Sequence, residues 1–385
     1  MARSSAAAPF VCDPYTADYQ TRLFEIYREL RDAHPVHHNP ERNFWMVSRH
    51  ADVVAVLRDD ETFSSAGVEE SLALEPMLIY MDGEAHTELR NLLSRGFTPR
   101  RVAALEPRVR SIARRLLDEM APGGRCEFMH GFAAQLPSLV IGELIGIPEE
   151  RRAAFLGYTE SMIETGEEGH RIAEAAAGIY AEFTELLALR RKEPRDDLMS
   201  ALLEAEVGGE RLSDRKLLGF CFLLITGGND TTMNLIGNGA ALLAQHPEQR
   251  ELLIADPSRI PAAVEEMLRF EAPTQALPRR PRCDVEMHGV TIPAEGRLLV
   301  SFGAANHDDR VFDDPDRFDV ARASAPHLAL GQGAHFCMGA SLARLEARVA
   351  FEELLERFPR YALVSEPRWV TSRWARSHPE LQLRL

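Results

Sequence analysis

One cysteine in this sequence lies in a setting that could activate a thiol. Glycines at positions 331, 333 and 339 flank Cys337, and a long helix-forming stretch begins directly after the last of them. Glycine permits backbone geometries that are closed to other residues and lets backbone N–H groups approach the sulfur. Because a helix N-terminus lowers the pKa of a nearby thiol, we expect Cys337 to be held as a thiolate.

A thiolate is either a nucleophile or a metal ligand, and the local sequence leaves both roles open. A cysteine hydrolase would need a histidine and an Asn or Asp beside Cys337, and sequence alone does not show spatial neighbours. A single thiolate is enough to hold a haem iron, because the porphyrin supplies the ring of nitrogen ligands. The third reading is a buried cysteine that packs as a small apolar side chain.

A second unusual segment interrupts what should be the most deeply buried helix. Ser213 is placed to cap a helix that runs to about Gln245. The apolar run 217–225 indicates burial on all sides, yet the segment 226–232 reads Thr-Gly-Gly-Asn-Asp-Thr-Thr. Hydroxyls and a carboxylate that replace i to i−4 hydrogen bonds can open a groove for a small ligand or ordered water. The alternative is a helix that ends early at the Gly-Gly pair.

The elements that position these two segments are predicted to be mostly helices. Apolar residues recur at spacings of three and four through most of the chain, most clearly over 101–120, 171–192 and 340–358. Strand-like runs are short and lie at 44–47, 285–292, 298–302 and 381–385. No repeat, low-complexity linker or shift in composition marks a boundary. We therefore expect residues 1–385 to form a single domain that is mainly α with small β-sheets.

Composition excludes several classes of protein. The 385 residues include 44 Lys and Arg against 59 Asp and Glu, and the net charge of −15 disfavours a general nucleic-acid binder. The hydrophobic share of 45% and the charged share of 27% are typical of a folded protein. The five cysteines are scattered without a CxxC pair, the N-terminus lacks a secretory signal, and no apolar run is long enough to span a membrane. The sequence predicts a cytoplasmic protein without a disulfide framework, a zinc site or a membrane anchor.

The loop around Cys337 resembles the haem-binding loop of the cytochrome P450 family. The family pattern is Phe-x-x-Gly-x-x-x-Cys-x-Gly; Gly333, Cys337 and Gly339 match it, and Leu330 takes the place of the phenylalanine. The resemblance implies the P450 fold, with haem b between the long central helix and the helix that follows the loop. It implies that Cys337 is the axial iron ligand and that Gly339 belongs to the haem-binding loop. Leu330 would loosen the packing beside the sulfur and shift the redox potential.

Two further motifs resemble those that hold the haem propionates in this family. His86 and Arg90 match the HxxxR motif, and their spacing puts both on one helix face. By resemblance, Arg279 is another propionate-binding arginine and His335 another partner. Two carboxylates that are buried as charges need several donors, which these four residues would supply. Gly83 follows Asp82 just before the first motif, where the family often has proline.

Glu266 and Arg269 resemble the ExxR motif of the same family. Side chains three residues apart share a helix face and can form an ion pair. The resemblance implies that this pair is structural and that it bonds the segment 314–319 through Arg317 or Arg322.

The resemblance implies a haem-thiolate monooxygenase, which inserts one atom of O2 into a hydrophobic small molecule by hydroxylation or epoxidation. O2 is then the co-substrate, and electrons come from NAD(P)H through a separate ferredoxin and ferredoxin reductase, because the chain has no Cys cluster of its own. Asp230 and Thr231 resemble the acid–alcohol pair of the family's central helix, with Gly227 in place of the more common Ala. We expect Asp230 to relay protons and Thr231 to hold the hydrogen-bond network around oxygen.

An arginine-rich stretch suggests where a redox partner would dock. Eight arginines lie from Arg90 to Arg115, with Glu106 as the only acid among them. A positive face of this kind suits a small acidic ferredoxin. The alternative is a set of scattered, solvated arginines. The protein itself is expected to be a monomer.

By position in the family, four segments should line the substrate pocket. Most of their residues are apolar, which favours a hydrophobic small molecule. The predicted lining residues are Met77, Leu78, Ile79, Tyr80, Leu223, Thr226, Gly227, Thr274, Gln275, Ala276, Leu277, Trp374 and Ala375. Each of them could equally be an ordinary core residue.

Several rival activities share these residues. Oxidative coupling of phenols and desaturation would use every motif above. An H2O2-driven peroxygenase would use the same haem and Cys337 but would not need Asp230 and Thr231. A haem-binding sensor would need neither a proton relay nor a reductase, and a cysteine hydrolase would carry no haem.

Overall fold

Helices dominate the structure, as the three- and four-residue apolar spacing predicts. The computed structural model describes residues 10–67, 77–163, 169–207, 209–323, 326–372 and 374–385. Within these ranges the α-helices are α1 (Ala17–Thr21), α2 (Leu23–Ala33), α3 (His50–Arg58), α4 (Gly83–Ser94), α5 (Pro99–Ala104), α6 (Glu106–Met120), α7 (Gln135–Ile145), α8 (Glu149–Ile163), α9 (Gly169–Lys192), α10 (Leu198–Glu204), α11 (Asp214–Gln245), α12 (Pro247–Ala255), α13 (Ile260–Phe270), α14 (Phe302–Asn306) and α15 (Ala340–Arg357).

The strands are few and short. In the described part of the chain they are β1 (Val36–Asn39), β2 (Phe44–Val47), β3 (Phe63–Ser64), β4 (Arg125–Glu127), β5 (Glu206–Val207), β6 (Glu210–Arg211), β7 (Ala276–Pro281), β8 (Val285–Met287), β9 (Val290–Ile292), β10 (Leu298–Ser301), β11 (Ala362–Leu363) and β12 (Gln382–Arg384). The largest sheet has the order β1-β2-β10-β7-β3, with β10 parallel to β2 and antiparallel to β7. The prediction of a mainly α fold with small β-sheets is confirmed.

Helix α11 begins and ends close to the predicted residues. The Ser213 hydroxyl accepts a hydrogen bond from the Lys216 N–H at 3.4 Å, which caps the helix. The helix packs against α7, α9, α13 and α15, and most of its side chains are buried. Its middle, where the polar segment 226–232 lies, is therefore surrounded by the main hydrophobic core.

Two local predictions differ from the structure because of proline. The stretch 101–120 forms α5 and α6 rather than one helix, since Pro107 near the start of α6 has no N–H with which to continue the α5 ladder. Strand β7 begins within the segment 274–277 that the resemblance places on the pocket wall, but its extension to Pro281 was not predicted, because Pro278 and Pro281 interrupt the apolar pattern. Its register with β10 pairs Arg279 with Leu298 and so fixes the direction of an arginine that the site needs.

Among the described residues, no helix has the length and apolarity that a bilayer span requires. All five cysteines are free thiols. The sequence predicts no secretory signal at the N-terminus. Residues 1–9 of that segment lie outside the described residues.

Candidate active site

Glycine geometry and backbone hydrogen bonds fix the loop that carries Cys337. Gly331 and Gly333 have φ values of 69° and 71°, in the left-handed region that favours glycine. A Cβ on Gly333 would lie 2.3 Å from the carbonyl oxygen of Leu57, so the loop could not pack on α3 with any other residue there. The Cys337 N–H donates to the Leu330 carbonyl at 2.8 Å, and α15 follows directly.

Burial controls the charge of the Cys337 thiol more than the helix N-terminus does. Loss of solvent raises its pKa above the ordinary value, although the Gly339 N–H and the guanidinium groups of Arg90 and Arg344 act in the opposite direction. Burial therefore opposes the thiolate form that the local sequence predicts. A metal ion at the sulfur would favour the thiolate by displacing the thiol proton.

Helix α11 stays continuous through the segment 226–232. The Thr231 hydroxyl donates to the Gly227 carbonyl at 2.8 Å, and the Thr226 hydroxyl bonds the carbonyl one turn earlier in the same way. These bonds add to the helical ladder, so the structure shows neither the predicted opening of the helix nor an early end. Space comes instead from the absent side chain of Gly227, where an added Cβ would meet no atom closer than Leu223 Cδ1 at 3.9 Å.

One cavity joins the central helix, the cysteine loop and the sheet. Of the predicted catalytic and cofactor-binding residues, those that line it are His86, Arg90, Thr231, Arg279, His335, Cys337 and Gly339. Asp230 is not among the lining residues; it is half-buried beside Thr231 on α11. The fold thus brings residues from α4, β7, α11 and the cysteine loop to one place.

The four predicted propionate ligands form one cluster on this cavity, called here the cationic cluster because two of its members, Arg90 and Arg279, are arginines. The rings of His86 and His335 stack with centroids 4.3 Å apart, the Arg90 guanidinium donates to the Phe336 carbonyl, and Arg279 is 5% exposed. Burial lowers the pKa of Arg279 to about 10. Burial and the nearby Arg279 guanidinium lower the pKa of His335 to about 3. Cationic forms of these groups are therefore destabilised unless an anion joins them.

The cluster has more donors than the described protein acceptors use. His86 Nε2 and His335 Nε2 are buried and have no hydrogen-bond partner among the described residues. Asp82 Oδ1 lies 3.9 Å from His335 Nε2, which is beyond hydrogen-bond distance. Its carboxylate already accepts from the Ser64 hydroxyl and from Arg282 at 2.8 Å. The sequence places Asp82 just before the HxxxR motif, but it does not predict that Asp82 lies close to His335.

The ExxR pair is buried and tied to the predicted segment. Arg269 Nε and Glu266 Oε2 are 2.7 Å apart, and both side chains are almost fully buried. Arg269 also donates to the Pro315 carbonyl at 2.9 Å. Of the two candidate arginines, Arg322 contacts Glu266 at 3.1 Å through its side chain, whereas Arg317 contributes its backbone carbonyl. The pair therefore clamps α13 to the segment 314–319.

Only some of the predicted substrate-pocket residues line the cavity. The residues that line the cavity are Leu78, Ile79, Leu223, Gly227, Thr274 and Leu277. The predicted residues that do not line it are Met77, Tyr80, Thr226, Gln275, Ala276, Trp374 and Ala375.

Packing explains these differences. Met77 and Tyr80 belong to the main core, and Trp374 packs on the N-terminal core cluster. Ala276 points to the opposite face of β7 from Leu277.

Hydrogen bonds hold the remaining residues outside the lining. Gln275 is turned away from the cavity because the Tyr27 hydroxyl donates to its Oε1. Ala375 forms an isolated β-bridge with Thr274. The Thr226 hydroxyl is held by its own helix.

Other lining residues were not predicted, among them Leu57, Phe97, Ile141, Thr232, Pro273 and Phe302. Thr232 could have been predicted to line the cavity, because it directly follows Asp230 and Thr231 on α11. Ile141 of α7 could not, because an apolar residue at helical spacing looks the same whether it faces a core or a cavity.

Four of the eight arginines on the predicted docking face have acidic partners among the described residues. The pairs are Arg108–Glu143, Arg110–Glu353, Arg114–Glu353 and Arg115–Glu119, with N to O distances of 2.7–3.0 Å. Arg90 faces the cavity instead. The face is therefore less positive than the local sequence indicates, because α15 places its glutamates against α6. Arg100 and Arg101 are exposed.

Comparison with known proteins decides the family. The model of the cytochrome P450 family matches residues 258–364. Putative cytochrome P450 123 of Mycobacterium tuberculosis is 41% identical over 367 residues, which are 91% of this chain and 90% of that protein. The chain belongs to the cytochrome P450 family.

Further relatives of this P450 agree with that result. A steroid C26-monooxygenase of Mycobacterium tuberculosis is 37% identical over 347 residues, 88% of this chain and 87% of that protein. The structure of cytochrome P450 CYP109Q5 from Chondromyces apiculatus superposes with a TM-score of 0.90 at 39% identity, over 97% of each chain. The predicted P450 fold is confirmed, and the protein is a P450 monooxygenase.

P450 proteins hold haem iron through a cysteine thiolate, and the residues of this cavity fit such a group. Cys337 offers the soft ligand, and the apolar side chains of Leu223 and Leu277 line the same cavity. The two unpartnered imidazole nitrogens and the buried Arg279 are donors that carboxylates would satisfy. This donor set matches a ligand that combines a metal, a flat apolar face and two carboxylates.

Proposed function

We propose that this P450 binds haem b through Cys337 and inserts one atom of O2 into a hydrophobic small molecule, by hydroxylation or epoxidation. The observation that carries the proposal is that Cys337, the cationic cluster and Thr231 line one cavity. The likeness to a steroid C26-monooxygenase supports oxygen insertion into an apolar substrate. In this proposal residues 1–385 form a single haem domain.

The chain's own residues would hold the cofactor in a fixed orientation. When bound, haem supplies an iron centre that accepts single electrons and activates O2. Cys337 would ligate its iron, and the nearby charges of Arg90 and Arg344 favour the thiolate form of the sulfur. His86, Arg90, Arg279 and His335 would donate to the propionates and so hold the cofactor in one orientation.

Thr231 is suited to hold a proton donor in the cavity. Its own hydroxyl proton goes to the Gly227 carbonyl, so the lone pairs of its oxygen can accept a hydrogen bond. In the proposal Thr231 orients an ordered water, and Asp230, next to it on α11, passes protons to that water. Asp230 is placed outside the lining, which suits a relay group rather than a substrate contact.

The substrate would lie against an apolar wall with few polar groups. Leu78, Ile79, Leu223 and Leu277 supply apolar surface, and Thr274 supplies a hydroxyl. Such a lining favours a molecule that is held mainly by shape and apolar contact.

Electrons would reach the protein from NAD(P)H through a separate ferredoxin and ferredoxin reductase. Four of the neighbouring arginines are paired to glutamates, and Arg100 and Arg101, among the side chains that the structure describes, are exposed charges that could meet an acidic partner. The rate of reduction by ferredoxin should therefore fall with rising salt concentration. A rate that is insensitive to salt would count against this docking face.

The optical spectrum of the purified ferric protein tests the proposal. The protein is titrated with terpenoids, steroids, fatty acids, aromatics and macrolides, and one class is expected to convert low-spin haem to high-spin haem. Turnover of that class with ferredoxin, reductase and NAD(P)H should then give an oxygenated product. A Cys337→Ser variant serves as the control and should lose the thiolate-type spectrum. No haem in the wild-type protein would refute the proposal.

Product analysis separates the remaining alternatives. A coupled or desaturated product would replace oxygen insertion, and turnover with H2O2 alone would indicate a peroxygenase. Ligand binding without any product would favour a haem sensor.

A further inference from the structure

A buried ion pair lies directly behind one wall of the substrate cavity. Arg376 Nε and Glu271 Oε2 are 2.8 Å apart, and the two side chains are 5% and 6% exposed. Neither residue lines the cavity. A buried ion pair is often no more stabilising than apolar packing of the same volume, but loss of one partner leaves the other charge buried and unpaired.

The pair sits where several elements meet. Glu271 directly follows α13. The Arg376 guanidinium also donates to the Gln20 side chain at 2.8 Å and lies 3.3 Å above the centre of the Trp369 ring. On the other side, Asn238 of α11 donates to the Arg376 carbonyl at 2.8 Å. One arginine therefore connects the N-terminal helices, the central helix and the C-terminal segment.

The C-terminal segment in turn holds the cavity wall by its backbone. The Arg376 N–H donates to the Pro273 carbonyl at 3.0 Å, and the Gln275 N–H donates to the Trp374 carbonyl at 2.7 Å. Thr274 forms a β-bridge with Ala375 between these two bonds. Pro273, Thr274 and Leu277 face the cavity. The position of Arg376 therefore affects how far residues 273–277 extend into the cavity.

We propose that the Glu271–Arg376 ion pair positions the wall formed by residues 273–277 and thereby sets which sizes of ligand the cavity accepts. The inference rests on the proposed haem-dependent function of the cavity. Both residues act through the backbone they hold, so they are positioning residues and do not contact substrate. Loss of the pair would let the wall shift and would weaken bulky ligands more than small ones.

The first test uses two azoles that bind ferric haem and differ in bulk, imidazole and clotrimazole. Optical titrations are made on the wild-type holoprotein, on Arg376→Met, and on the double variant Glu271→Leu with Arg376→Met, which removes both charges and so protects the fold. We expect clotrimazole affinity to fall about tenfold in both variants, while imidazole affinity stays within about twofold.

Arg190→Met is the matched control, because Arg190 forms another buried ion pair, 2.6 Å from Asp197, and neither residue lines the cavity. It should lower stability without changing the ratio of the two azole affinities. An unchanged ratio in both Arg376 variants, or an equal change in Arg190→Met, would overturn the proposal.

Hydrogen–deuterium exchange gives a readout that does not depend on haem. Amides of residues 274–277 should lose protection by about tenfold in the Arg376 variants and not in Arg190→Met. Unchanged protection overturns the positioning role. If wild-type protein shows no azole spectrum but the exchange result holds, the proposed function fails and the positioning role stands.

Discussion

The imidazole rings of His86 and His335 stack at 4.3 Å between centroids, although one belongs to α4 and the other to the cysteine loop. Each ring keeps a buried Nε2 that has no hydrogen-bond partner within the described ranges. Arg279 from β7 adds a buried charge to the same cavity. A ligand with carboxylates would satisfy both nitrogens, and leaving such buried polar groups unbonded costs free energy.

Replacing Arg279 should weaken haem retention. Arg279→Leu removes a buried charge-assisted donor, so we expect haem loss to apomyoglobin to be at least about tenfold faster than in the wild type. The matched control is Arg280→Leu on the same strand, because Arg280 pairs with Glu295 at 3.3 Å and does not line the cavity. Equal haem loss in the two variants would show that Arg279 does not hold a propionate.

Replacing Thr231 should separate cofactor oxidation from product formation. Thr231→Ala removes the hydroxyl that orients the proton donor, so product formed per NAD(P)H should fall by about tenfold while haem and substrate still bind. Thr226→Ala is the control, since that hydroxyl makes the same kind of bond within α11 but lies outside the cavity lining. Thr231→Ser should restore coupling. Tight coupling in Thr231→Ala would remove Thr231 from the mechanism.

Acid should destabilise the fold through His37. Burial lowers its pKa from 6.5 to about 4, and its Nε2 accepts the Cys12 N–H at 3.2 Å, which only the neutral ring can do. The unfolded chain binds this proton more tightly, so stability present at pH 7 is lost as the pH falls from about 6.5 towards 4.

Chemical unfolding at pH 7 and pH 5 measures this effect. After allowance for solvent screening, His37 should contribute about 1 kcal/mol to the difference between the two pH values. His37→Gln keeps an acceptor for Cys12 and should reduce that difference. The exposed neighbour His38, changed to Gln, should not. An identical pH dependence in wild type and His37→Gln would contradict the prediction.

Two glycines of the cysteine loop should differ in their tolerance of alanine. Gly331→Ala introduces only the strain of a φ of 69°, about 1 kcal/mol, because its Cβ would find its nearest contact at 3.5 Å. Gly333→Ala adds a collision with the Leu57 carbonyl at 2.3 Å, so we expect a loss of about 3 kcal/mol or more. Urea unfolding of the two variants gives the comparison. Equal losses would mean that α3 moves away from the loop at little cost.

Several features of this protein follow from local sequence. The Ser213 cap and the apolar run after it are enough to predict α11, because capping and burial act within a few turns. The ion pair of Glu266 with Arg269 follows from a spacing of three residues. The glycines around Cys337 predict a tight loop, and Gly331 and Gly333 adopt the left-handed backbone that favours glycine.

The tertiary structure determines which distant residues contact those local features. The charge that opposes Arg110 and Arg114 comes from Glu353 on α15, far along the chain, so no local count of arginines could show that these two charges are paired. Gln275 and Leu277 are near neighbours, but Tyr27 holds the first away from the cavity that the second lines. Such outcomes depend on contacts between distant segments, whereas propensity, capping and spacing act over only a few residues.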